Sequence, residues 1–282
     1  MSKIAIENVS MRFNDVVALD NINLVLEENK IYGLLGRNGA GKSTLLNLIT
    51  NKIFPTTGTI KIDHELVLEN EKALGKVYCM TERTLYPENM KIKEIFKWSK
   101  EFYPNFDINY AIELANKFNL NLNKAVKGLS TGYSSIFKII VALACNTPIV
   151  LLDEPVLGLD ANHRDLFYKE LIESYSNHPR TFVISTHLIE EVADVIEDVI
   201  IIKDGSILIN ESTETVKAMG YGVSGKSTDV DEFVKDKKVL SVDLLGGLKT
   251  AYLLGEKPNQ LPNSLEVASL DLQKLFIQLT NA

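Results

Sequence analysis

Cysteine is scarce in this chain: Cys79 and Cys145 are the only two, far apart and without histidines at ligand spacing. That excludes a disulfide framework and a zinc site, and two reduced, mostly buried thiols are expected. No apolar run approaches the roughly 18 residues that a membrane-spanning helix needs. The N-terminal MSKIAIENVS alternates like a strand and lacks the apolar core of a signal peptide. An excess of positive charge is also missing, since 30 Lys and Arg face 37 Asp and Glu for a net charge of −7. A general nucleic-acid binder needs a basic face, so no nucleic-acid partner is expected. No internal repeat or low-complexity tract stands out. What remains is an ordinary globular composition over 282 residues, enough for one large domain with a small appendage. Such a chain is expected in the cytoplasm, with any membrane role exercised through a partner.

Residues 3 to 35 read as short strands, KIAIENVSMRF and then INLVLEENKIYGLLG, with Glu27, Glu28 and Asn29 as a hairpin turn. Ile31 to Leu35 is a continuous apolar run, the pattern of a strand buried on both faces, and a helical pattern from Ser43 to Ile49 follows soon after. From about residue 89 to 146 the period becomes helical, with Ile108, Ala111, Ile112, Ala115 and Phe118 on one buried face. Strand-like runs then return at 149–152, 181–184 and 199–202, separated by helical segments at 163–175 and 188–196. The expected fold is α/β, with a mainly parallel sheet, an antiparallel β-subdomain and an inserted helical lobe. The main domain is expected over residues 1–215, and 216–282 as a small α+β appendage with a regulatory or dimer-stabilising role.

The pattern GxxxxGK[ST] occurs twice, as GRNGAGKS at 36–43 and GYGVSGKS at 220–227. A phosphate-cradling loop needs glycines so that backbone N–H groups can face an anion, and a helix N-terminus behind them. The first match has a buried strand before it and a helix after it. Gly36, Arg37, Asn38, Gly39, Ala40, Gly41, Lys42, Ser43 and Thr44 are therefore its candidate ATP-binding residues, with Lys42 reaching the phosphates and Ser43 on Mg²⁺. The second match follows a helical stretch at 214–219 and precedes three carboxylates, so turns at Gly222 and Gly225 are expected there instead. Leu151 to Pro155 ends a strand with Asp153 and Glu154, adjacent carboxylates that repel each other unless a cation offsets them. Mg²⁺ on Asp153 would do so, leaving Glu154 to orient or deprotonate water.

GRNGAGKST, LSTGY at 129–133, IVLLDEP at 149–155, GLD at 158–160 and STH at 185–187 occur in the order and spacing of ATP-binding-cassette ATPases. The chain resembles the nucleotide-binding subunit of an ABC transporter, and the resemblance covers residues 1 to about 215. It implies a P-loop NTPase fold, ATP and Mg²⁺ as cofactors, and Lys42, Glu154 and His187 as the catalytic set. It also implies a head-to-tail dimer with a second ATP-binding subunit, in which Ser130, Gly132 and Asp160 touch the nucleotide held by the partner. An integral membrane subunit would hold the dimer at the inner face of the cell membrane. Phe13 matches the family's adenine-stacking aromatic, although a Phe near a strand end serves equally well as core. Two departures stand out. Thr131 and Tyr133 alter the family's LSGGQ, and no glutamine lies near Cys79 to Glu82, where Thr81 or Glu82 could supply the metal-shell oxygen. The general type resembles bacterial exporter ATPases for antibiotics and antimicrobial peptides. The alternatives are a soluble ATPase unconnected with transport and an ATP-sensing module with weak hydrolysis.

Overall fold

The computed structural model describes residues 3–258 and 262–281, so Met1, Ser2, residues 259–261 and Ala282 of the expected N-terminal strand and tail lie outside it. Two compact units are distinguished, one of residues 1–188 with 200–209 and one of 189–199 with 210–282. The division differs from the expected boundary at 215, because the segment that follows the STH motif groups with the tail.

In the first unit, β1 (Ile4–Phe13), β2 (Val16–Leu26), β4 (Thr57–Ile62) and β5 (Glu65–Leu66) form an antiparallel sheet in the order β2-β1-β4-β5. Alternation buries Ile4, Ile6, Val9 and Met11 on one face, and slips in the β1 ladder restore the pattern where strict alternation fails. The hairpin turn joins β1 to β2, with Phe13 opposite Val16. The hairpin expected at 27–29 is not formed. Those residues instead lead from this sheet to β3 (Ile31–Leu35), which lies in another sheet and pairs with β8 (Thr181–Thr186). An all-apolar strand has no solvent face to offer an antiparallel neighbour, and β3 is buried at every residue.

The second sheet has the order β10-β9-β3-β8-β7-β6, built from β6 (Val77–Met80), β7 (Ile149–Asp153), β9 (Asp198–Lys203) and β10 (Ser206–Ser212) besides β3 and β8. The β3–β8, β8–β7 and β7–β6 ladders are parallel. Helix α1 (Lys42–Ile49) buries Leu45, Leu46, Leu48 and Ile49 in a core shared by both sheets. Eight residues make a marginal helix by themselves, so this burial, roughly 2 kcal/mol per side chain, is what holds α1 in place. After the short α2 (Glu71–Leu74), the helical lobe consists of α3 (Ile92–Phe102), α4 (Ile108–Lys117) and α5 (Thr131–Ala144). Its inner surface is aromatic, with Phe96, Phe106, Phe118 and Phe137 fully buried. The buried face of α4 is Ala111, Leu114 and Ala115, continuing to Phe118, whereas Ile112, expected on it, is 38% exposed. The period of 3.6 residues per turn turns position 112 off the stripe. Helix α6 (Ala161–Asn177) crosses between β7 and β8.

The second unit contains α7 (Ile189–Val192), much shorter than the helix expected over 188–196, and α8 (Thr213–Ala218). Its sheet, in the order β12-β13-β11-β14, is antiparallel in all three ladders and comprises β11 (Gly220–Lys226), β12 (Val239–Leu245), β13 (Leu248–Leu254) and β14 (Leu265–Ser269). Helix α9 (Ser227–Val234) covers one face through Val230, which packs with Val223, Ala251 and Leu253, and α10 (Leu272–Asn281) ends the unit. No helix of the described residues is long and apolar enough to cross a membrane.

Candidate active site

Between β3 and α1 the chain runs through Gly36 to Gly41 as an irregular loop. Gly41 has φ of +112°, and a Cβ there would meet Leu19 Cδ2 at 2.7 Å and Ala18 O at 2.8 Å. At Gly36 it would meet Ile202 O at 2.7 Å. The loop is thus wedged between the β1–β2 hairpin and the central sheet. Arg37, Asn38, Gly39 and Ser43 face solvent, Ala40 is buried and Thr44 is half-buried. Among the described residues α1 has no side-chain cap and no acidic residue in its first turn, so its leading amides remain available to an anion.

Lys42 is only 6% exposed, and its ammonium donates to Gly36 O at 2.7 Å and Arg37 O at 3.4 Å. Burial lowers its pKa, while Glu154 and Asp153 work against that shift. The Glu154 Oε1 atom lies 3.8 Å from the ammonium, so the two motifs 112 positions apart in sequence converge on one site.

Asp153 closes β7, 8% exposed, and its Oδ1 accepts from Ser185 Oγ at 2.9 Å. Oδ2 has no hydrogen-bond partner among the described residues. Glu154 follows with φ of +48°, a left-handed backbone rare for a non-glycine residue, and its N–H donates to Ser185 O. Its carboxylate is gripped from two sides, with Thr186 Oγ1 donating to Oε2 at 3.2 Å and His187 Nδ1 2.9 Å from Oε1. Thr186 in turn accepts from Leu188 N, which directs its own hydroxyl proton at Glu154. Ser185 and Thr186, which hold the two carboxylates, are positions that sequence reasoning did not single out. The available signal was the polar pair Ser185 and Thr186 closing β8 directly after the apolar Phe182, Val183 and Ile184.

The remaining candidates lie further out. Phe13 is 46% exposed at the tip of the hairpin whose second strand abuts Gly41. Ser130 caps α5, accepting from Tyr133 N, so the helix begins at Thr131. A Cβ on Gly132 would strike Gly158 O at 2.6 Å, so its missing side chain already serves a contact within this chain. Asp160 caps α6, accepting from His163 N and lying 2.9 Å from His163 Nδ1; those bonds, the backbone one first, hold its carboxyl below the usual range. The Thr81 hydroxyl is turned to Arg83 O, whereas Glu82 is exposed and borders a cavity of about 470 Å³ together with Ser130 and Glu154.

The residues present fit a hard divalent cation at the loop. Ser43 offers an exposed hydroxyl, Asp153 an unspent oxygen, and two adjacent carboxylates share one lysine. Among the described residues no group of three or more His, Cys, Asp or Glu could hold a metal by itself, so water or a bound phosphate would complete the shell.

The second GxxxxGKS match is a strand. Residues 221–225 of β11 pair with β13 on one side and β14 on the other. The expected turns at Gly222 and Gly225 are therefore replaced by a central strand. Glycine is required at 225, where a Cβ would meet Leu265 Cδ2 at 2.6 Å and Ser264 O at 2.9 Å, whereas at 222 it would make only ordinary contacts with Tyr252 and Leu270. Lys226 is exposed at the end of the strand, and Lys226→Ala is expected to leave nucleotide affinity within about twofold in an equilibrium titration. A large loss would reinstate a second site.

The family model described as ABC transporter matches residues 19–157. The Bacillus subtilis protein named ABC transporter ATP-binding protein YtrB is 26% identical over 278 residues, covering 93% of this chain and 95% of its own length. The Bacillus subtilis ABC transporter ATP-binding protein NatA is 30% identical, over 76% of this chain and 91% of its own. The Methanocaldococcus jannaschii protein MJ1023, named as an ABC transporter ATP-binding protein, is 32% identical, over 78% of this chain and 81% of its own. Among solved structures, the dimeric post-hydrolysis state of the ATP-binding cassette MJ0796 bound to ADP and Pi superposes with a TM-score of 0.66 at 25% identity, over 74% of this chain and 98% of that one.

Proposed function

The chain belongs to the ABC transporter family of ATP-binding proteins, and from that premise we propose that it hydrolyses ATP to drive a transporter whose membrane-spanning part is a separate chain. The observation that carries the hydrolytic half is the Glu154 carboxylate, fixed by Thr186 and His187 beside the buried Lys42. In this reading the loop amides, the α1 N-terminus and Lys42 take the phosphates, and Phe13 offers a ring to the base. Ser43 and Asp153 would hold Mg²⁺, with an outer oxygen lent by Glu82, which borders the cavity that Glu154 lines, or by the Thr81 hydroxyl, whose lone pairs stay available while its proton is donated to Arg83 O. When bound, the metal offsets the negative charge on the phosphate oxygens. Glu154 orients the attacking water and accepts its proton, and His187 keeps the carboxylate aimed.

A second copy or a related subunit completes the site in trans, presenting Ser130 and the first turn of α5 to the γ-phosphate, with Asp160 shaping the adjoining turn. Support comes from the exposure of Ser130 and Thr131 at the start of α5 and from the dimeric state of MJ0796. Residues 216–282 form a module that regulates or stabilises the dimer.

The transport half rests on a groove of about 730 Å³ beside the end of β6. Trp98, Phe102 and Leu85 line it and are 55%, 72% and 71% exposed. Its exposed cations are Lys52 and Arg83, with no carboxylate among the described lining, on a chain of net charge −7. That chemistry suits an apolar, acidic segment of a membrane subunit at the cytoplasmic face. Export is assigned on the resemblance to exporter ATPases alone. Trp98→Glu is expected to abolish co-purification with the membrane chain while the isolated subunit hydrolyses ATP at its usual rate. Undiminished co-purification would count against the groove.

A further inference from the structure

Helix α5 carries a single charged residue among its 14, Lys138, and it is 6% exposed. Its neighbours Ile136, Phe137, Ile139 and Ile140 are fully buried apolar residues, and a methionine would fill this position without desolvating a charge. The ammonium is instead spent on the backbone that follows β6, donating to Thr81 O at 2.9 Å and to Glu82 O at 2.6 Å. One turn earlier on the helix, Ser134 Oγ lies 3.1 Å from Thr84 Oγ1. Both ties reach the same short segment. That segment borders the apolar groove on one side and, on the other, the cavity that Ser130 and Glu154 share, and Lys138 lines both. Burial lowers the lysine's pKa and the Glu82 charge opposes that shift. A buried ammonium stripped of its acceptors is costly, so the two carbonyls follow it when α5 shifts.

We propose that Lys138 is a positioning residue that binds residues 81–84 to α5, so that the groove-side segment and the Ser130 end of the helix move as one piece. Its value for coupling rests on the transporter reading above, but the tie itself does not, and the test separates them. Hydrogen–deuterium exchange on the full chain without nucleotide reads the tie directly. In Lys138→Met the amides of 81–84 are expected to exchange roughly tenfold faster while α1 and β7 keep their protection. Unchanged exchange at 81–84 overturns the proposal, and so does an equal rise throughout the core. Lys138→Arg, which keeps a cation able to donate to both carbonyls, is expected to match the unaltered chain even if the methionine variant does not fold. Faster exchange confined to 81–84 in the arginine variant overturns the proposal. In steady-state assays Lys138→Met is expected to lower kcat about tenfold with KM for ATP within about twofold, and a raised KM with unchanged kcat overturns it. Absence of hydrolysis by the unaltered chain would count against the ATPase reading and leave the exchange result standing.

Discussion

Glu154→Gln is expected to bind ATP as tightly as the unaltered chain and to hydrolyse it about a thousandfold more slowly. The amide has nearly the volume of the carboxylate and inherits the same left-handed backbone at φ +48°, so the site's shape survives. What it loses is the ability to take a proton from water, while its amide oxygen can still accept from Thr186. The phosphate loop and Lys42 are untouched, which is why affinity is preserved. Phosphate release at saturating ATP, read beside an equilibrium binding titration, checks both halves. Multiple-turnover hydrolysis at the normal rate would remove Glu154 from its role.

Lys42→Ala should give the opposite phenotype, with the loss falling on binding itself. The ammonium is buried and parked on two loop carbonyls, and it is the charge that offsets Asp153 and Glu154. Without it an incoming triphosphate meets two carboxylates with no cation between them. Charge-assisted hydrogen bonds of this kind contribute about 1.5–3 kcal/mol each, so affinity is expected to fall roughly 10- to 100-fold. An unchanged dissociation constant for ATP would contradict the assignment of the loop. Together the two variants separate the holding of phosphate from its hydrolysis.

Much of this arrangement was legible in the letters because the catalytic strands are buried on both faces. Runs such as 149–152 and 181–184 have no plausible fate but the interior of a parallel sheet, and the motifs sit at their ends. The misread pieces share another physical origin. The turn at 27–29 connects two sheets, and local polarity cannot tell such a link from a hairpin. GYGVSGKS has a composition that suits either loop or strand, and only the ladders on both sides of β11 decide. Thr186 and Ser185 were hidden because a hydroxyl's role depends on what it faces. Lys138 is visible as a charge in an apolar helix, but its partners lie more than 50 residues away.

The wedged phosphate loop bears on how such motifs should be interpreted in other chains. Gly36 and Gly41 are demanded by Ile202 O, and by Ala18 O and the Leu19 side chain, so packing alone would preserve them in a chain that had ceased to bind any ligand. Gly39 is different, because a Cβ there meets nothing within 4 Å and only its φ of +85° favours glycine. Solvent-facing Ser43 likewise has little architectural reason to be retained. In a degenerate relative, positions 39 and 43 would drift first, and their intactness here is better testimony to a working enzyme than the two glycines most often searched for.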